Sequence, residues 1–133
     1  DAMIEGREGR TVREIFQTEG EDVFRTIETD VLIESLAADE PAVIAAAGGI
    51  VLREENRMAL RDSQARVVWL RADPMLLLER VKSGGHRPLL DDDPATTLQQ
   101  MFDQREPLYR EVADAIVSVD NRSINDVVEA VLR

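Results

Sequence analysis

Along the first forty residues apolar side chains recur every three or four positions, the spacing of a single helix face. Val12, Ile15 and Phe16 follow Thr11, Glu14 stands three residues after that threonine as in a capping box, and Gly20 stops the run. The pattern predicts a short helix over 11–18. A longer helix over 21–38 carries an apolar stripe of Val23, Phe24, Ile27, Val31, Leu32 and Leu36. The period then changes. Residues 42–46 are a short apolar run that breaks at Gly48-Gly49, 66–71 enclose Val-Val-Trp-Leu, and 116–119 read Ile-Val-Ser-Val, so each predicts a buried strand. Further helices are expected over 54–62, 74–82, 95–104, 106–114 and 124–132. Strands alternating with helices imply a parallel sheet, because parallel neighbours need a long crossover. The stretch 83–94 holds Gly84, Gly85, Pro88 and three successive aspartates, which is too polar for a core and reads as a mobile surface loop. With no internal repeat, one domain over 1–133 is expected.

Charge narrows the choice of partners. Twenty-seven acidic residues against sixteen basic ones give a net charge of -11, a field that repels nucleic-acid backbones and anionic lipid surfaces. Every basic residue except Lys82 is arginine. Any anion site must therefore rely on a few planar guanidinium forks set inside an acidic protein. The absence of cysteine and of a long apolar run excludes a disulfide scaffold and a membrane span, and a cytoplasmic enzyme fits best.

Four segments, in their order and spacing, resemble the shikimate kinases across essentially the whole chain. They are Phe24-Arg25 with Glu28, the run Val43-Ile44-Ala45-Ala46-Ala47-Gly48-Gly49, Arg87-Pro88-Leu89-Leu90, and Arg105-Glu106-Pro107-Leu108-Tyr109-Arg110. The resemblance implies a P-loop kinase-like, three-layer α/β/α fold with a parallel sheet in the order 2-3-1-4-5. The strands read above would be the third to fifth of that sheet. No Gly-x-x-x-x-Gly-Lys-Ser/Thr occurs in the sequence. The expectation is that the first strand, the Walker A loop, the helix behind it and the second strand precede Asp1, in roughly 30 to 35 further residues, and that these 133 residues alone are inactive.

Phosphoryl transfer asks a protein for in-line placement of a hydroxyl and for cations spread over the moving charge. By resemblance, the chain transfers phosphate from ATP, with Mg2+, to the 3-hydroxyl of shikimate, as a monomer. Asp1 matches the carboxylate that orients the hydroxyl and takes its proton. Arg25 and Arg105 match the pair that grips the shikimate carboxylate, for which a guanidinium offers two parallel hydrogen bonds. Read without the resemblance, Arg25 would form an ion pair with Glu28, and Arg105, at a turn between two helices, one with Glu106 or Asp103. Gly48 and Gly49 end a strand at the edge where open α/β sheets bind ligands, and there they allow a ring to approach the backbone closely. Arg87 matches the arginine of a lid over 83–94, which brings positive charge to the transferring phosphoryl group. Lys82 and Arg122 fall where the family contacts adenine. No residue is assigned to a metal.

The family reads Thr-Gly-Gly-Gly where this chain reads Ala46-Ala47-Gly48-Gly49. That departure removes a hydroxyl and adds a methyl group, and it motivates the alternative of a non-catalytic module or pseudokinase that binds a shikimate-like acid. A related small-molecule kinase such as a gluconate kinase is the third reading, since fold alone does not fix substrate.

Overall fold

A computed structural model describes residues 1–83 and 93–133, and its chain divides into two compact units, Asp1–Ala65 and Arg66–Arg133. The first unit is helical. Helix α1 (Ala2–Glu8) was not expected from the sequence, α2 (Val12–Glu19) and α3 (Glu21–Ala37) were, and a 3-10 turn (Gly48–Leu52) leads into α4 (Glu54–Asp62). Thr11 caps α2 as its spacing predicts: its hydroxyl accepts from the Glu14 N–H at 3.1 Å, and the Glu14 carboxylate accepts in return from the Thr11 N–H at 3.5 Å. Gly20 joins α2 to α3 with φ 89° and ψ 175°, a backbone state that side chains rarely tolerate. Its position lets the two helices fold back on each other. Ile4, Ile15 and Phe24 are buried together, with Val12, Phe16, Ile27 and Val31 packed around them and the rings of Phe16 and Phe24 4.9 Å apart. Burial of each such side chain contributes about 1.5–3 kcal/mol.

Helix α3 buries more than its apolar stripe. Arg25, Glu28 and Thr29 are as buried as Phe24 and Leu32, so the covered arc continues beyond the apolar side onto a polar one. The arginine at the start of α4 ties α4 to α3: Arg53 donates to the Thr26 hydroxyl and to the Asp22 carbonyl, both at 3.0 Å.

The described residues of the second unit form a parallel two-stranded sheet and three helices. Its elements are β1 (Val68–Arg71), α5 (Pro74–Ser83), α6 (Pro94–Val112), β2 (Ala115–Ser118) and α7 (Ile124–Leu132). Val68 is in register with Ala115 and Arg71 with Ser118. The expected parallel pairing is borne out. Carboxylates close both ends of the sheet, since Asp114 accepts from the Val67 N–H at 2.7 Å and Asp120 from the Asp73 N–H at 2.9 Å. The Trp69 ring stacks on Tyr109 of α6 with centroids 5.2 Å apart.

Three expectations need correction. Residues 42–46 form no strand and are exposed, with Val43 wholly so; a strand needs a hydrogen-bonded neighbour, and among the described residues none pairs with this run. Strand β1 is half-buried, and its Leu70 is exposed. The helices expected over 95–104 and 106–114 are one helix, α6, which runs through Pro107. Leu98, Arg105 and Val112, seven residues apart and so on one face, are all buried. Continuous burial of that face offsets the one hydrogen bond that proline cannot donate. Among the described residues no helix is long and apolar enough to cross a membrane.

Candidate functional site

Helix α3 and the turn that follows build the most specific feature of the first unit. Arg25 lies one position after Phe24, which anchors the core, and its guanidinium sits 5.1 Å from that ring. From there it turns away from the apolar cluster. Its Nη1 donates to Glu28 at 3.0 Å and its Nε to Glu21 at 3.3 Å. Arg25 and Glu28 are 6% and 4% exposed, so this is a buried pair and not the surface contact that helix arginines usually make. Removing two charges from water is costly, and the mutual attraction repays that cost only when the geometry is good.

Gly49 lies directly against this guanidinium. A Cβ built on Gly49 would overlap Nη1, Nη2 and Cζ of Arg25, so only glycine fits there while the arginine keeps its place. The structure thus brings together two of the sequence-predicted residues, Arg25 and Gly49, and adds Glu28 as the group that fixes the fork. Gly48 opens the same turn and is exposed. Ala47, preceding it, has φ −70° and ψ 157°, an ordinary extended conformation, so the methyl group there needs no backbone freedom that only glycine supplies. Ala46 is exposed.

Asp1 stands at the N-cap of α1 and is exposed; its carbonyl accepts from the Glu5 N–H at 2.9 Å, while its side chain makes no capping bond. Its carboxylate is not committed to the helix.

In the second unit Arg105 projects from α6 and is 8% exposed, and its Nε finds no hydrogen-bond partner among the described residues. The acidic partners expected for it are occupied elsewhere. Glu106 pairs with Arg110 at 2.9 Å, and Asp103 accepts from Gln99 at 3.0 Å. An arginine buried with a donor to spare is suited to an anionic ligand. Arg71, at the end of β1, also has a buried Nε with no partner among the described residues, and its guanidinium lies over the rings of Trp69 and Phe102. No signal in the chain marked Arg71, because its environment is made by two aromatic side chains from different elements.

Beyond the carboxyl ends of the strands, a cleft of about 300 Å³ is lined by Leu76, Glu79 and Arg80 of α5 and by Val119, Asn121 and Arg122 of the turn after β2. Asn121 has φ 55°, which sharpens that turn. Arg122 was expected at a ligand contact and does line this cleft; the other five residues were not singled out. The side chain of Lys82, the whole of Arg87 and most of the expected lid over 83–94 lie outside the described residues. Among the described residues no group of three or more His, Cys, Asp or Glu side chains could hold a metal ion.

Comparison with known proteins gives a consistent picture. The family model for shikimate kinase matches residues 1–133. A shikimate kinase of Marinomonas sp. (strain MWYL1) is 43% identical over an aligned length of 134, covering 99% of this chain and 73% of that protein. One from Symbiobacterium thermophilum is 42% identical, over 99% of this chain and 76% of that protein. Among solved structures, shikimate kinase from Acinetobacter baumannii in complex with shikimate superposes with a TM-score of 0.93 at 35% identity, covering 99% of this chain and 73% of that one. Shikimate kinase from Bacteroides thetaiotaomicron gives a TM-score of 0.84 at 28% identity, over 100% of this chain and 77% of that one.

Proposed function

This chain belongs to the shikimate kinase family, and on that premise we propose that it transfers the γ-phosphoryl group of ATP to the 3-hydroxyl of shikimate, yielding shikimate 3-phosphate and ADP. The observation that carries the reading is the buried fork of Arg25, fixed by Glu28 and seated on Gly49, since nothing in the packing of a helical unit requires a guanidinium there. A fork held at a fixed angle binds a planar carboxylate with two parallel hydrogen bonds and sets the orientation of the ring behind it.

The roles divide by chemistry. Arg25 and Arg105 take the shikimate carboxylate. Gly48 and Gly49 let the ring approach the backbone. Asp1 accepts a hydrogen bond from the hydroxyl to be phosphorylated and takes its proton as oxygen attacks phosphorus. Arg87 brings positive charge to the three equatorial oxygens of the transferring group, where it stabilises the transition state more than the ground state. Arg122 and Lys82 contact adenine, and the cleft beside Arg122 has the volume for part of a nucleotide. The segment 83–94 serves as the lid, and residues 1–133 act as a single catalytic domain and as a monomer. Mg2+ would accompany ATP, bound through the phosphates. A cytoplasmic setting belongs to the same reading, since ATP is the donor.

The test is direct. The full-length protein, incubated with shikimate, ATP and Mg2+, should yield shikimate 3-phosphate by mass spectrometry, and the yield should fall when Mg2+ is chelated. A folded full-length protein that binds shikimate by calorimetry yet forms no product would establish the non-catalytic binding module instead.

A further inference from the structure

Among the described residues Asn56 is one of the three largest fully buried side chains, and nothing in the sequence marked it. It sits in the first turn of α4. Its Nδ2 donates to the carbonyl of Ile50 at 2.9 Å, while its Oδ1, equally buried, has no partner among the described residues. Burying an amide with one end unsatisfied is unfavourable, and an aliphatic side chain of similar volume would fill the space without that cost. What asparagine supplies and leucine does not is a donor aimed at Ile50. The next residue works in the same direction, because Arg57 Nη1 donates to the carbonyls of Val51 at 2.8 Å and Leu52 at 3.2 Å. Three successive carbonyls of the 3-10 turn are thus held by side chains of α4. The other end of the turn is closed by the Ile50 N–H donating to Ala47 at 3.1 Å. Gly49 lies between these anchors, against the guanidinium of Arg25.

We propose that Asn56 is a positioning residue for shikimate recognition: by holding the Ile50 carbonyl it sets the height of Gly48-Gly49 against Arg25, and so the space left for the ring and its carboxylate. This inference rests on the function proposed above. Asn56 itself touches no substrate. Its effect passes through a turn with no slack, since Gly49 has no room for even a methyl group on the arginine side and a shift of a few tenths of an ångström is felt there.

The experiment uses the full-length protein, with shikimate binding by calorimetry and steady-state kinetics as separate readouts. Asn56→Leu keeps the volume and removes the donor. It should weaken shikimate binding about tenfold or more, a factor expected when one aligned hydrogen bond is lost, and leave the KM for ATP within about twofold. Unchanged shikimate binding in a folded variant overturns the proposal, as does a parallel rise in both constants, which would mark general loosening of the fold. Should Asn56→Leu fail to fold, Asn56→Asp gives a second reading with the shape preserved. A buried aspartate is a donor only when protonated, so its shikimate affinity relative to wild type should recover as the pH falls; a ratio flat with pH overturns the proposal. A wild-type protein that binds shikimate but does not phosphorylate it would sink the kinase reading and leave the Asn56 comparison intact. One that binds no shikimate overturns both.

Discussion

The two units hold their arginines in different ways. In the first, Arg25 is held by carboxylates, with Glu28 as buried as the arginine and Glu21 at the rim. In the second, the guanidinium of the half-buried Arg71 rests over Trp69 and Phe102, and that of the exposed Arg110 lies over Trp69 while also pairing with Glu106. There, the Nε of Arg71 and that of Arg105 have no hydrogen-bond partner among the described residues. A carboxylate-paired arginine is fixed in angle, and its partner depends on it in turn; a ring face tolerates sliding and leaves hydrogen-bond donors free. The first arrangement presets a fork, and the second keeps donors available for a ligand. Stability and activity should therefore respond together in the first unit and separately in the second.

The largest effect is expected from Arg25→Ala. It strands the buried Glu28 carboxylate without a counter-charge, which costs about 3–5 kcal/mol of stability, and abolishes shikimate turnover in the full-length protein. Thermal denaturation and product assay should show both losses; Arg25→Ala with an unchanged melting temperature would break the comparison. Arg105→Met in the second unit should separate the two. Stability is expected to stay within about 1 kcal/mol, because a well-packed apolar side chain replaces a charge with an unpaired donor. The same change should lower kcat/KM for shikimate roughly 30-fold or more, the usual consequence of losing a desolvated charged contact.

Gly49→Ala tests the seat of the fork. The methyl group must displace the Arg25 guanidinium, which is pinned by Glu28, so overpacking of about 1–3 kcal/mol is expected together with a raised KM for shikimate. A variant with wild-type KM would show that the fork has more room than the geometry allows. The smallest effect is at the exposed pair Arg7–Glu34, where the hydrogen bond and then the charge of Arg7 hold the Glu34 carboxyl below its ordinary range. A depressed folded-state pKa contributes stability above the unfolded value and loses it as the pH falls through the folded one. Glu34→Gln should thus leave the melting temperature nearly unchanged at neutral pH and flatten its decline slightly in the acid range; a large neutral-pH shift would contradict the solvent screening expected of an exposed pair.

Local signals were legible in the sequence because their physics is local. Thr11 and Glu14 are one helical turn apart, and the capping box forms between them whatever surrounds it. The apolar spacing of α3 was read for the same reason, from a period that one element carries by itself, and the parallel pairing of β1 with β2 from the helices that intervene between them. The resemblance placed Arg25, Gly49 and Arg105 as residues to watch. It did not tell that Arg25 and Glu28 are buried, since charged positions on a helix read as surface.

The remainder depends on what packs against what. Residues 42–46 have the composition of a strand, yet strand structure resides in a hydrogen-bonded pair and not in one segment. Pro107 reads as a helix boundary until the burial of Leu98, Arg105 and Val112 on one face outweighs it. Asn56 is an unremarked residue in a polar helix until the carbonyl of Ile50 comes within 2.9 Å of it. By itself the sequence determined helices α2, α3, α4, α5 and α7, the cap of α2 and the residue types available for binding an anion. Tertiary structure alone decided which charges are desolvated and which donors are left unpaired, because burial belongs to a residue's neighbours in space.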